Sequence, residues 1–316
     1  MHIFLAGATG AIGCSLIPLL VEHGHTVAGT TRSAAKADVL RSLGAEPVIL
    51  DGLDRDAVRA AVAAQRPDAV VHQMTALAGL GDMRRLEAAF AQTNRLRTEG
   101  LDHLLAAARD AGVQRIVAQG YAGWPFARTG GPVKAEGDPL DPDPPRQLRP
   151  VLDALRHLER ATTAAGGVVL RYGGFYGPGT GLAPGGEQWD AVRARKFPLV
   201  GDAGGVWSFV HIEDAASATL AALEDYRPGE VYHAVDDDPA PVREWLPVLA
   251  RALDAPPPRH VPRWVARLMG EHLVVMMCES RGASNAKIKR ELGWAPRWPT
   301  WREGFAALAP ARAAAA

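Results

Sequence analysis

The chain opens with a short apolar run, "HIFLAG" at 2–7, which passes through "ATGAIG" into a helical pattern, "AIGCSLIPLLVEHG". Gly7, Gly10 and Gly13 thereby form a G-x-x-G-x-x-G array at a strand-to-helix junction. No other stretch limits the fold as much. The chain must turn sharply, its backbone must let a diphosphate come close, and the helix must sit near the strand; each demand leaves no room for a Cβ. The helix start also offers free N–H groups to a phosphate. Glycines at this spacing are weak evidence alone, but the strand before and the helix after supply the context of a dinucleotide site. Thr9, Ala11 and Ile12 complete the candidate phosphate turn.

Four more apolar runs follow: "TVAGTT" (26–31), "AEPVILD" (45–51), "DAVVHQ" (68–73) and "RIVAQG" (115–120). Helical patterns lie between them, several closing at Gly as in "EHG", "SLG" and "DAG", where a left-handed residue ends a helix. This alternation predicts an α/β fold with a doubly wound parallel sheet. Residues 129–150, rich in Pro, Gly and Asp, read as an irregular loop of a length that is often functional. A helix follows, with Val151, Leu152, Leu155 and Leu158 on one face, and then the strand "GVVLRY".

Composition closes off other classes. A chain of 316 residues, 47% apolar, can bury the core of one large α/β domain or of two intertwined ones. Thirty-five basic residues balance thirty-five acidic ones, leaving no overall field for nucleic acid or an anionic membrane. No apolar run is long enough to span a bilayer, and no basic leader precedes the first strand, so a cytoplasmic location is expected. Cys14 and Cys278 lack metal-ligand spacing, and no metal site is expected.

The second strand ends "GTTRS", and this bears on the cofactor. An Asp or Glu there would meet a free ribose 2′-hydroxyl, whereas Thr31 followed by Arg32 suits a 2′-phosphate. NADP(H) is therefore favoured over NAD(H), with Ser33 and Lys36 as further candidate contacts. In "LDGLD", Asp51 is placed to accept from an adenine amino group, with Gly52 beside it and Leu53 to cover the ring; the alternative for Asp51 is a helix N-cap.

At this point the chain resembles the extended short-chain dehydrogenase/reductases, also called NAD-dependent epimerase/dehydratases. Besides "GATGAIG", "DAVVHQMTAL" is similar to the family's fourth-strand segment, with His72, Gln73, Met74 and Thr75 at its exit. "QTNRLRTEGLDHLLAAARDAGVQRIV" resembles the helix whose Asn, here Asn94, steadies the active site. "LRYGGFYGPG", "WSFVHIEDAASA" with His211 and Asp214, and "ELGWAPRW" resemble later segments, the His–Asp pair more often fixing a junction than catalysing. The resemblance implies a Rossmann domain over 1–172 with returns near 206–236, a smaller C-terminal substrate-binding region over 173–205 and 237–310, and a tail at 311–316. It also implies a small-molecule substrate and, by analogy, a homodimer.

The resemblance fails at the usual proton relay. Family members place a Tyr, and a Lys four residues on, in the helix after the fifth strand, and a Ser at that strand's end. Here Val151 and Leu155 fall on the first two positions, and Tyr121, after Gln119, falls on the third. Three readings stay open: hydride transfer with Tyr121 as relocated proton donor, helped by Gln73, Thr75 or Lys134; a redox-neutral isomerisation or dehydration that retains its dinucleotide; or a dinucleotide-binding regulator without turnover. Arg193, Arg195 and Lys196 are candidates for a substrate diphosphate, though such a run is more often a solvated face. Trp124, Phe126, Tyr176, Trp189 and Trp207 favour a ring-bearing or apolar substrate if they line the cleft.

Overall fold

The computed structural model describes residues 1–77 and 86–308, so the expected tail at 311–316 lies outside the described residues. The first half folds as β1 (His2–Ala6), α1 (Ala11–Glu22), β2 (Thr26–Thr31), α2 (Ala37–Ser42), β3 (Glu46–Ile49), α3 (Arg55–Gln65) and β4 (Ala69–His72). There follow α4 (Leu86–Arg95), a π-turn over Leu96–Gly100, α5 (Leu101–Asp110), β5 (Arg115–Tyr121), β6 (Val133–Lys134), α6 (Arg149–Ala164) and β7 (Val168–Tyr172). The second half adds β8 (Gly174–Tyr176), α7 (Glu187–Arg193), β9 (Leu199–Val200), β10 (Val206–Trp207), β11 (Phe209–His211), α8 (Ile212–Glu224) and β12 (Val231–Ala234). It ends with β13 (Ala240–Pro241), α9 (Val242–Ala252), β14 (His260–Val261), α10 (Arg263–Met269), α11 (Glu271–Val274), β15 (Gly282–Ala283), α12 (Ala286–Leu292) and α13 (Trp301–Ala307).

Seven strands form one sheet in the order β12-β7-β5-β4-β1-β2-β3, and every neighbouring pair is parallel. Because both faces are covered, β1 is apolar and buried without alternation from Ile3 to Ala6. Ile3 and Leu5 pack with Leu16, Ile17 and Leu20 of α1 and with Ala215, Ala216 and Ala218 of α8. Phe4 and Ala6 point the other way, against Val58 and Val62 of α3 and Leu104, Ala107 and Ala108 of α5. Each of the Ile, Leu, Val and Phe side chains among them contributes about 1.5–3 kcal/mol on burial, and each Ala less. The strand order reverses on either side of β1, and a crevice opens there at the carboxyl ends of the strands.

A second core, built by Trp189, Phe209, Trp245, Trp301 and Phe305, gathers the later segments, while Ile288 of α12 and Trp294 return to the first. The 129–150 loop is a brace. Its β6 pairs in parallel with β15, and Arg128 bridges Asp141 and Glu279, each at 3.0 Å. None of its residues lines the crevice. Among the described residues, no helix is long and apolar enough to cross a membrane, and no group of three or more His, Cys, Asp or Glu side chains is placed to hold a metal ion.

Asp236, just past β12, is buried, and that burial pushes its carboxyl up to about 8. The fold thus keeps a proton that the unfolded chain releases near pH 4, so stability falls as pH rises from there through about 8. Asp236→Asn is expected to flatten this decline and to raise stability at pH 8 by an amount on the order of a few kcal/mol. Thermal unfolding across pH 4–9 measures it; an unchanged slope would rule the residue out as the cause.

Candidate active site

The glycine turn is built as a cradle. Gly7 has φ +90°, and a Cβ there would stand 2.6 Å from the Gln73 carbonyl oxygen; one on Gly13 would stand 2.3 Å from the Ala8 carbonyl oxygen. Gly10 caps α1 with no side-chain hydrogen bond, which leaves the N–H groups of the helix's first turn open. This close, donor-rich surface fits a dinucleotide's diphosphate.

From the turn a cleft of about 890 Å³ runs along the carboxyl edge of the sheet, past the ends of β2, β4, β5 and β7. Of the expected cofactor residues, Gly7, Thr9, Gly10, Ala11, Ile12, Gly13, Thr31, Arg32, Gly52, Gln73, Met74 and Gln119 line it, as does Lys36. Four do not. Asp51 is exposed and its Oδ1 accepts from the Leu53 backbone N–H at 3.1 Å, closing a turn that also holds Leu53 off the cleft; the N-cap of α3 is Asp54 instead. His72 sits behind the strand end, its Nε2 donating to the Leu96 carbonyl at 3.0 Å. Asn94 lies outside the lining with a buried, unpartnered Oδ1.

The expected catalytic set divides in the same way. Tyr121, Gln73 and Thr75 line the cleft, whereas Lys134 is buried in the brace loop, its Nζ donating to the Thr129 carbonyl at 2.6 Å. Gln73 is oriented by a relay. Its Nε2 donates to the Tyr172 hydroxyl at 3.3 Å, that hydroxyl donates to Thr219 Oγ1 at 2.7 Å, and Thr219 donates to the Ala215 carbonyl. The Gln73 Oε1 is then left buried and unpartnered, an acceptor held for a ligand donor.

At the β5 end of the cleft, Tyr121 meets Val151 and Leu155 of α6, Trp124 and Trp207. Burial pushes the Tyr121 phenol up to about 12, against the pull of the nearby Arg97 guanidinium, so it stays protonated at neutral pH: a donor and not a base. Phe126, Tyr176 and Trp189 are core residues away from the cleft. Arg193, Arg195 and Lys196 also stand outside it, with Arg195 Nε on the Pro257 carbonyl. His211 caps α8, and Asp214 accepts from the backbone N–H groups of Arg297 and Trp298, so this pair fixes a junction.

Arg97, absent from the residues expected from the sequence, also belongs to the site. It lies in the π-turn, lines the cleft and is 4% exposed. Burial lowers its guanidinium to about 10, which leaves it charged at neutral pH. The available signal was positional: 97, 101, 104 and 108 form one stripe, and the other three are buried Leu101, Leu104 and Ala108.

The model of the NAD dependent epimerase/dehydratase family matches residues 3–236. The chain is 45% identical over 309 residues to a 3-diazoavenalumate denitrifying reductase of Streptomyces sp, covering 96% of this chain and 99% of that one. It is 28% identical over 340 residues to the 4-hydroxy-2-methyl-3-oxo-4-farnesyl-3,4-dihydroquinoline-1-oxide ketoreductase of Stigmatella aurantiaca, covering 98% and 96%. The fold superimposes on UDP-glucose 4-epimerase of Thermotoga maritima with a TM-score of 0.76 at 21% identity, over 98% and 97% of the two chains. The chain belongs to the NAD dependent epimerase/dehydratase family, and is an NAD(P)-dependent oxidoreductase or epimerase/dehydratase of the extended short-chain type.

Proposed function

We propose that the protein is an NADPH-dependent reductase that replaces the diazo group of an aromatic carboxylate by hydrogen. The observation that carries this reading is the apolar wall of Val151 and Leu155 facing the cleft, where the resemblance leads one to expect a proton relay. A reduced nicotinamide bound in the cleft supplies a hydride; with an arenediazonium this replaces the C–N bond by C–H and releases N2, consuming two electrons and no proton. The residues present are then sufficient. The glycine turn and the open end of α1 hold the diphosphate, and Gln73 offers its fixed Oε1 as an acceptor. Val151, Leu155, Trp124 and Trp207 enclose the ring and exclude water. The likeness to a denitrifying reductase points to the same chemistry.

A carbonyl acceptor is the second reading, and it is favoured by Tyr121, whose phenol opens on the cleft as a proton donor. One variant separates the two. On 3-diazoavenalumate, Tyr121→Phe is expected to change kcat less than about threefold, because no proton is transferred, whereas a ketone substrate would lose on the order of 10²-fold or more. The measurement is NADPH oxidation with N2 release, in a 1:1 ratio. Absence of turnover on the diazo acid alongside turnover on a ketone would replace the first reading by the second.

A further inference from the structure

Among the described residues two arginines are buried, Arg97 and Arg171, and they are treated differently. Arg171, on β7, is matched on every side: Glu159 takes its Nε and Nη2 at 2.6 and 2.8 Å, and the Glu136 carbonyl takes Nη1 at 3.2 Å. Arg97 is just as deeply placed and has no such partner. Its Nε and Nη1 are buried and unpartnered, and no carboxylate pairs with it among the described residues. The titratable groups around it are the Tyr121 phenol, which stays protonated, and His72, which burial keeps neutral. Nothing facing it carries a negative charge among these groups.

A lone buried cation is one of the costliest things a fold can hold, because desolvation is not repaid by an ion pair. The backbone contributes as well. Arg97 belongs to a π-turn of five residues between α4 and α5, a local rewinding of the kind that often marks a functional site. Among the described residues lining the cleft, the cations Arg32, Lys36 and Arg97 stand against a single acid, Glu187. Arg32 and Lys36 flank the β2 end, near the glycine turn. Arg97 stands apart from them, coupled to Tyr121 at the β5 end.

We infer that Arg97 is the substrate's anion site: its guanidinium, with Nε and Nη1 unpartnered, takes a carboxylate on the aromatic substrate and sets the ring against Tyr121 and the Val151–Leu155 wall. This rests on the reading of the protein as a reductase of an aromatic acid. A guanidinium fork matches a carboxylate with two parallel hydrogen bonds, so the pair fixes direction as well as position. The substrate then brings in a counter-charge that no described residue supplies, and a neutral analogue leaves that place empty.

The test is equilibrium binding to the NADP+-saturated protein, which needs no turnover. The probes are 4-hydroxycinnamate and its methyl ester, which share the ring and the phenol and differ in the carboxylate. The native protein is expected to bind the acid at least about tenfold more tightly than the ester, in line with a charge-assisted pair. Arg97→Leu should bind the two equally, keep its NADPH affinity within about twofold, and melt no lower than the native protein, since an unpaired buried charge has been removed. Arg97→Lys should recover part of the preference for the acid. Equal binding of acid and ester by the native protein would overturn the inference, as would a preference that survives in Arg97→Leu. Loss of NADPH affinity in both variants would assign Arg97 to the cofactor and overturn it too. A preference for the acid that depends on Arg97, together with no reduction of 3-diazoavenalumate, would sink the reaction assigned above and leave the anion site standing.

Discussion

Arg32→Glu is expected to weaken NADPH binding about 100-fold or more while leaving NADH binding unchanged or improved. Arg32 is exposed at the end of β2 and lines the cleft together with Lys36. A 2′-phosphate held by such a fork gains charge-assisted hydrogen bonds worth roughly 1.5–3 kcal/mol each, and a carboxylate in its place adds repulsion. Two such bonds correspond to about 10²–10⁴ in affinity, reduced by solvent at an exposed position. NADH has no phosphate there and gains a 2′-hydroxyl partner from the Glu. Titration of nicotinamide fluorescence with both cofactors measures the ratio. A native protein that prefers NADH, or a variant whose ratio does not move, would refute the cofactor preference proposed for this chain.

Gly7→Ala should abolish cofactor binding and lower the melting temperature together. Two costs coincide at this position. The backbone sits at φ +90°, which disfavours any residue with a Cβ by roughly 1–3 kcal/mol. The new methyl would also lie 2.6 Å from the Gln73 carbonyl oxygen and 2.9 Å from the Met74 nitrogen, which are backbone atoms at the exit of β4 and cannot swing aside. Overpacking of this kind costs a further ~1–3 kcal/mol, so a drop of at least several degrees is expected. The shift needed to relieve it would separate β1 from β4 at the point where their carboxyl ends form the crevice. Thermal unfolding and NADPH titration of the same sample test both consequences. A Gly7→Ala protein with native stability and native affinity would show that the turn is not the cradle described.

The parts legible in the sequence are those set by short-range rules. "TVAGTT" at 26–31 reads as a strand and is β2, Thr26–Thr31, because β-branched Thr and Val favour extended backbone and the short run is buried from Val27 to Thr31. The glycine array reads as a phosphate turn because the sterics of Gly7 and Gly13 act within one strand-to-helix unit. Lys134 misleads for a related reason. A lysine in a polar loop looks available, and only the pairing of β6 with β15, nearly 150 residues away, draws it inward as a brace. Asp51 and Asp54 are three residues apart with similar surroundings, and only the observed turn decides which of them caps α3.

The sequence by itself determined the order of strands and helices, the glycine cradle and the basic end of β2, since each follows from periodicity or from a clash between near neighbours. The tertiary structure decided what those elements enclose. Gln73 is oriented through Tyr172 and Thr219, from β7 and α8, and Arg97 is buried with no acid beside it among the described residues, where α4, α5 and α6 pack around the π-turn. A charge in a helical pattern reads as solvated until packing removes the water, and desolvation is a property of the assembled fold.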